Sequence, residues 1–216
     1  MRCFERAIRR ANLPIAHSHG FSPRPKIAFP LPLAVGIEGR NEVVDLDLET
    51  PSEPSLVQAR LGAHLPPGLQ LVSAQPAPPG RASQASAATY ELSIPAELRE
   101  AARAALARFL SATEWIYQRH RPGKTSAFDL RPMVASARIS DDNVLTFTLR
   151  VDPRGSARPE EFLEAVELAS LPSEGTILAR THTTLIDHPA NPTTPGDSAP
   201  DPSQAVSNSL EFSLET

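Results

Sequence analysis

The stretch from Leu13 to Glu49, LPIAHSHGFSPRPKIAFPLPLAVGIEGRNEVVDLDLE, contains the most informative pattern in the chain. Its prolines fix the backbone and remove hydrogen-bond donors, so residues 17–26 cannot form ordinary helix or a central strand. We predict a stiff, extended loop that holds Arg24 and Lys26 in defined positions. Such a loop suits contact with an anionic partner, and it is not a catalytic motif.

The end of this stretch predicts a strand. Residues 43–49 alternate between apolar and acidic side chains from Val44 onward, which is the pattern of a half-buried strand. Its apolar residues should face a core. Asp45 and Asp47 should then share the opposite, solvated face.

Charge is distributed unevenly along the chain. Its 216 residues carry a net charge of −4, which argues against a globally basic nucleic-acid binder. Residues 1–40 nevertheless hold seven Arg or Lys against two Glu, whereas residues 187–216 hold five acids and no Arg or Lys. The acidic tail could mask an anion site in the basic head, or it could simply solubilise the protein.

Cysteine content and hydropathy limit the class of protein. Cys3 is the single cysteine, which excludes an intramolecular disulfide and a cysteine-held iron–sulfur cluster within one chain. No apolar run of 18 residues exists, and the charged N-terminus lacks the apolar core of a secretory signal. We therefore expect a cytoplasmic protein without a membrane span.

Periodicity and proline positions predict an α+β protein. Helices are expected over residues 3–12, 54–65 and 96–111, and from Pro159 onward. Further strands are expected over residues 69–74, 89–94, 114–119, 134–139, 144–151 and 176–186.

The two halves of the chain have similar element orders. The second half follows a ferredoxin-like β-α-β-β-α-β order with an additional strand, and the first half lacks only the opening strand of that order. We predict two ferredoxin-like units, at residues 1–76 and 89–188, joined by a linker over residues 77–88. Residues 189–216 should form a disordered acidic tail. The missing opening strand would leave a sheet edge exposed.

Several motifs are distributed over roughly residues 2–186. They comprise Arg10, Ala11, Leu13 and Pro14; Ser18, Gly20, Phe21, Pro23, Pro25, Lys26, Ile27 and Phe29; Pro32, Leu33 and Gly36; Glu42, Asp45, Leu46 and Leu48; Lys124 and Asp129 to Pro132; and Gly155, Ser156, Arg158 and Pro159. Together these motifs resemble a radical-SAM-linked family of bacterial proteins of unknown function. The resemblance implies a radical-SAM protein as partner and suggests RNA as a second one. The iron–sulfur cluster and S-adenosylmethionine would belong to that partner, so no cofactor is expected in this chain.

Four basic residues are the main candidates for anion binding: Arg9, Arg10, Arg24 and Lys26. Arginine offers phosphate a bidentate fork, although these charges could also be an ordinary solvated surface. Phe21 could stack on a base or anchor its loop in a core.

Two further pairs of residues have both functional and structural interpretations. His17 and His19, at i and i+2, could form a metal site or an acid–base site with Asp45 or Asp47. Asp129 and Arg131 could form a structural ion pair or contact substrate.

Taken together, the residues favour a non-catalytic accessory protein of a radical-SAM enzyme. Its basic loop, shaped by Ser18 and Gly20, would bind or present an RNA-linked substrate. One alternative is an RNA-processing or RNA-modifying enzyme that uses the histidines and aspartates above. Another is a scaffold that pairs with a partner strand at the unoccupied sheet position.

Overall fold

The computed structural model describes residues 2–77, 82–152, 155–186 and 208–215. It confirms the α+β class. The helices of this part of the chain are α1 (Arg2–Arg10), α2 (Pro54–Gly62), α3 (Arg99–Ser111) and α4 (Pro159–Ala165). The strands are β1 (Ile27–Ala28), β2 (Ile37–Gly39), β3 (Glu42–Leu48), β4 (Gln70–Ala77), β5 (Ala85–Ser93), β6 (Ile116–Arg121), β7 (Lys124–Asp129), β8 (Val134–Ile139), β9 (Val144–Arg150), β10 (Leu178–Leu185) and β11 (Asn208–Glu215).

The chain divides into two compact units. Unit 1 comprises Met1–Pro32, Asn41–Gln84 and Leu185–Thr216, and unit 2 comprises Leu33–Arg40 and Ala85–Thr184. These boundaries differ from the expected ones because both chain ends belong to unit 1 and a short early segment belongs to unit 2.

The structure contains strands within the predicted linker and the predicted tail. The linker was expected over residues 77–88, and β5 begins at Ala85; residues 78–81 lie outside the described residues. Residues 208–215 of the predicted disordered tail form β11, while residues 187–207 and Thr216 are not described.

Unit 1 contains a four-stranded sheet in the order β1-β3-β11-β4. β11 pairs antiparallel with both neighbours along most of its length. Its register places Leu210 opposite Leu46 and Phe212 opposite Val44. β11 therefore lies between β3 and β4, which are not bonded to each other in this sheet.

The core of unit 1 lies between this sheet and its two helices. α1 contributes Phe4, Ala7 and Ile8 at helical spacing, while its arginines Arg9 and Arg10 remain exposed. The core also contains the inward residues of β3 and the buried positions of α2, namely Val44, Leu46, Leu48, Val57 and Leu61. The predicted amphipathic patterns thus correctly identify the inward faces of both helices and of β3.

Unit 2 contains a five-stranded sheet in the order β2-β10-β5-β9-β8 and a separate hairpin of β6 and β7. Its core is aromatic: Phe162 lies 4.6 Å from Phe147 and 5.3 Å from Phe109, measured between ring centroids. β7 was not predicted, because its sequence KTSAFD has no clear alternation of polar and apolar residues. No helix in the described part of the chain is long and apolar enough to cross a bilayer.

Removal of residues 208–216 should unfold unit 1. The deletion leaves β3 and β4 without their shared partner, and a total stability of about 5–15 kcal/mol cannot absorb the loss of a central strand. Hydrogen exchange should lose protection over residues 42–48 and 70–77 and keep it over residues 144–150 of β9.

A synthetic peptide of residues 205–216 added to the truncated chain is the matched control, and it should restore protection in β3 and β4. Unchanged protection in the truncated chain without peptide would contradict the structural role assigned to β11.

Candidate nucleic-acid interface

Residues 16–26 form a short antiparallel hairpin, here called the tip hairpin. The Ser18 amide donates to the Arg24 carbonyl and the Lys26 amide donates to the Ala16 carbonyl, both at 2.8 Å. The Ser18 hydroxyl also accepts from the Arg24 amide at 3.0 Å. The predicted stiff loop is thus closed on itself by backbone hydrogen bonds, and Ser18 shapes it.

The base of the tip hairpin is attached to β3. The Ala16 amide donates to the Asp47 carbonyl at 2.8 Å, and the Asp47 amide donates to the Lys26 carbonyl at 3.2 Å. Both arms of the hairpin are therefore held by the same residue of a strand in the unit 1 sheet.

Phe21 lies at the end of the tip hairpin and is fully exposed, with a relative accessibility of 108%. It follows Gly20, whose φ of +128° is a conformation that residues with a side chain rarely adopt. Phe21 therefore does not anchor its loop in a core, which was one of its two interpretations. An aromatic ring in solvent at a hairpin end is available for stacking.

The basic residues of the tip hairpin differ in their surroundings. Lys26 forms an ion pair with Asp47 at 3.6 Å, which offsets part of its charge. Arg24 is exposed, and within the described residues no carboxylate forms an ion pair with it. Arg9 and Arg10 lie on α1, outside the hairpin. Arg24 is thus the base best placed to act together with Phe21.

The histidines and aspartates of the enzyme hypothesis are not brought together. His17 and His19 are exposed on the hairpin. In the described part of the chain, no group of three or more His, Cys, Asp or Glu residues is placed to hold a metal ion. The prediction that Asp45 is solvated is wrong, because only 4% of the residue is exposed.

Ser83 provides hydrogen-bond partners for the buried carboxylate of Asp45. The Ser83 amide and hydroxyl donate to the two Asp45 carboxylate oxygens at 2.6 and 2.9 Å. Burial raises the pKa of Asp45, while the hydrogen bonds from Ser83 oppose that shift. These contacts indicate that the Asp45 carboxyl group has a structural role within unit 1.

Asp129 and Arg131 organise a turn in unit 2. The Asp129 carboxylate accepts hydrogen bonds from the amides of Trp115 and Arg131, at 2.8 and 3.0 Å. The Arg131 guanidinium donates to the carbonyls of Leu110 and Val134. Both side chains therefore make structural contacts to the backbone of their own unit.

Unit 2 also contains a polar cleft of about 790 Å³ that the sequence did not predict. Glu161, at its wall, accepts from the Arg119 guanidinium at 2.7 Å and from the Arg158 amide at 2.8 Å. Tyr117 donates to Glu164 at 2.5 Å. The G-S-x-R-P motif at residues 155–159 was the sequence signal that could have indicated this cleft. Its Ser156 carbonyl accepts a hydrogen bond from Arg119 at 2.9 Å.

Comparison with known proteins identifies the family. Residues 1–159 match the model of a family described as an uncharacterized protein conserved in bacteria (DUF2344), and the chain belongs to that family. No curated protein and no solved structure matches the chain.

The Asp45→Asn variant should be more stable than the wild type at neutral pH. The raised pKa means that folding favours the neutral acid, so the stability contributed by Asp45 is present below the unfolded pKa of about 3.9 and lost as pH rises through the folded pKa. Asparagine keeps a neutral group that can bond Ser83. Urea unfolding from pH 3.5 to 8 should show a difference that grows with pH, and Glu49→Gln, which removes an exposed carboxylate from the same segment, serves as control. A difference independent of pH would contradict this assignment.

Tyr117 should remain protonated well above the usual range of tyrosine. Burial and the hydrogen bond to Glu164 raise the pKa of Tyr117 to about 12. Ultraviolet titration of the wild type minus Tyr117→Phe isolates its phenolate signal, since the chain has two tyrosines. Glu164→Gln should lower that pKa, whereas Glu174→Gln on the same unit should not. Equal titration in all variants would rule out the bond to Glu164 as a cause of the shift.

Proposed function

We propose that this protein is a non-catalytic accessory protein that binds single-stranded RNA, or an RNA-linked substrate, through the tip hairpin and presents it to a radical-SAM enzyme. The observation that carries the proposal is the full exposure of Phe21 at the end of a backbone-bonded hairpin. Covering this ring with a base would remove apolar area from water, which favours binding.

Stacking of an unpaired base on Phe21 fits the usual mode of single-strand recognition. Proteins that bind single strands place exposed aromatic rings beside basic groups, and each stacked base contributes about 1–3 kcal/mol. Arg24, three residues from Phe21, would contact the adjacent phosphate with its planar fork. Lys26 would add a weaker contact, because it already pairs with Asp47.

The closed geometry of the hairpin supports tight binding despite its small size. Its hydrogen bonds join residues 16–18 to residues 24–26, so the two arms that lead to Phe21 are ordered before a ligand arrives and less conformational entropy is lost on binding. The net charge of −4 keeps long-range attraction to RNA weak, which makes these local contacts decisive.

The radical chemistry would be supplied by the partner. An iron–sulfur cluster needs several cysteine thiolates, and this chain contains only Cys3. The scaffold hypothesis is less well supported than the hairpin, because the central strand position it requires is filled by β11. The enzyme hypothesis lacks the clustering of His17, His19, Asp45 and Asp47 that it needs.

The element order supports two ferredoxin-like units as the framework of this function. In a β-α-β-β-α-β unit the opening strand lies between the third and fourth strands. β11 takes that position in unit 1, between β3 and β4, and β5 takes it in unit 2, between β9 and β10. On this proposal, unit 1 is a ferredoxin-like unit whose opening strand comes from the end of the chain.

The test is fluorescence anisotropy with a labelled single-stranded oligoribonucleotide. Phe21→Ala should weaken the Kd about tenfold or more, the equivalent of one lost stacked base, and Phe21→Trp should retain binding. The slope of log K against log salt should be about −0.7 for each phosphate contacted. In Arg24→Ala the slope should become less negative by that amount, because one phosphate contact is lost.

Two control variants remove similar groups elsewhere in unit 1. Val72→Ala deletes another exposed apolar side chain and Arg60→Ala another exposed base, and both should bind RNA as the wild type does. If Phe21→Ala and Arg24→Ala bind as well as these controls, the tip hairpin is not the RNA site.

A pull-down from the native cytosol tests the partner. The wild type should recover a radical-SAM protein together with RNA, and Arg24→Ala/Lys26→Ala should lose the RNA. Recovery of the enzyme by both proteins, with no RNA in either, would leave only the accessory role and reject RNA presentation.

A further inference from the structure

A cavity in unit 1 lies between α1 and the turn after α2. It has a volume of about 420 Å³. α1 supplies Cys3, Arg6 and Arg10, which at i, i+3 and i+7 form one stripe along the helix. The opposite wall is the turn from His64 to Pro67. We call this cavity the α1–α2 pocket.

The α1–α2 pocket is lined by basic side chains and by no acidic ones. Its lining contains two guanidinium groups and the His64 imidazole, and no carboxylate. In the described part of the chain neither Arg6 nor Arg10 forms an ion pair. Positive groups that line one concave surface raise the local concentration of anions.

Stabilisation of the helix does not explain this set of residues. A base in the last turn of a helix interacts favourably with the terminal carbonyls, and this accounts for Arg10. It does not account for Arg6, which lies one turn earlier, or for His64, which faces the cavity from another element. The three groups share the pocket and no other structural feature.

We infer that the α1–α2 pocket binds a phosphate monoester. A terminal phosphate carries close to two negative charges at neutral pH and three acceptor oxygens, which match two arginine forks and an imidazole. The remaining lining is apolar and includes Leu65, Pro66 and Pro67, which suits the body of the molecule that bears the phosphate. The volume falls within the range of small-molecule sites.

This site is separate from the tip hairpin, and the inference does not rest on the proposed RNA function. The same chemistry can come from two sources, a free nucleotide or the phosphorylated 5′ end of an RNA strand. The two sources differ in the number of nucleotides that are attached to the phosphate, so they can be distinguished by experiment.

Cys3 provides a reporter inside the pocket. It is the only cysteine of the chain, it is exposed, and it lines the cavity, so alkylation by neutral iodoacetamide reports on this site alone. Adenosine 5′-monophosphate at millimolar concentration should slow the alkylation of the full chain severalfold, and adenosine, which lacks the phosphate, should not. Inorganic phosphate should compete with the nucleotide.

Variants test the residues that hold the phosphate. Arg6→Ala/Arg10→Ala should raise the concentration of nucleotide needed for protection about tenfold or more, as expected for the loss of charge-assisted hydrogen bonds. Arg6→Lys/Arg10→Lys keeps the charge and should give intermediate protection. Arg60→Ala, an exposed base outside the pocket, should behave as the wild type. Circular dichroism of each variant verifies that α1 is intact.

The outcomes separate the sources and can overturn the inference. Protection by a 5′-phosphorylated oligoribonucleotide, but not by its 5′-hydroxyl counterpart or by the mononucleotide, assigns the pocket to an RNA end. Protection by the mononucleotide alone assigns it to a free nucleotide. Equal alkylation rates with and without all phosphate probes, or equal protection by adenosine, would overturn the phosphate site. Phe21→Ala should leave protection by the mononucleotide unchanged, so failure of the hairpin proposal remains distinguishable.

Discussion

The structure of unit 1 depends on the backbone hydrogen bonds of β3 and β4. β3 is buried along almost its whole length, so its amides and carbonyls cannot be left unpaired without a large cost in free energy. Nothing close to them in sequence fills the space between them, and β11, about 130 residues later along the chain, supplies both sets of partners. The rest of the unit, including the packing of α1 and α2, is arranged around that insertion.

The tip hairpin depends on this arrangement through β3. Its two arms bond to the backbone of Asp47, and Asp47 lies in the strand that β11 pairs with on its other side. The side chain of the nearby Asp45 accepts two hydrogen bonds from Ser83. The two arms that carry Phe21 and Arg24 are therefore connected to hydrogen bonds that extend across the whole sheet. This continuity links a short, solvent-surrounded loop to the framework of the unit.

Elements with strong local signals were predicted from the sequence. The apolar stripe of α3 and the hairpin of β8 and β9 were placed within a few residues, because periodicity and turn residues are local properties. β11 was not predicted, although its sequence NSLEFSLE alternates with the period of a strand. The Pro- and Ser-rich composition of the surrounding residues indicated disorder for the whole segment. The contacts of Asp45 and Arg119 were not predicted, because their partners are far away in the sequence. Asp45 meets a serine 38 positions away, and Arg119 meets a glutamate 42 positions away.

The same insertion sets an order of assembly. The ribosome releases the strands of unit 2 before residues 208–215, which belong to unit 1. Folding of unit 1 can therefore be completed only after unit 2 has been synthesised. Until residues 208–215 have emerged, the edges of β3 and β4 that β11 pairs with remain free, which is the kind of surface that attracts other strands. Chaperone protection during translation would therefore be needed for the strands of unit 1 rather than for those of unit 2.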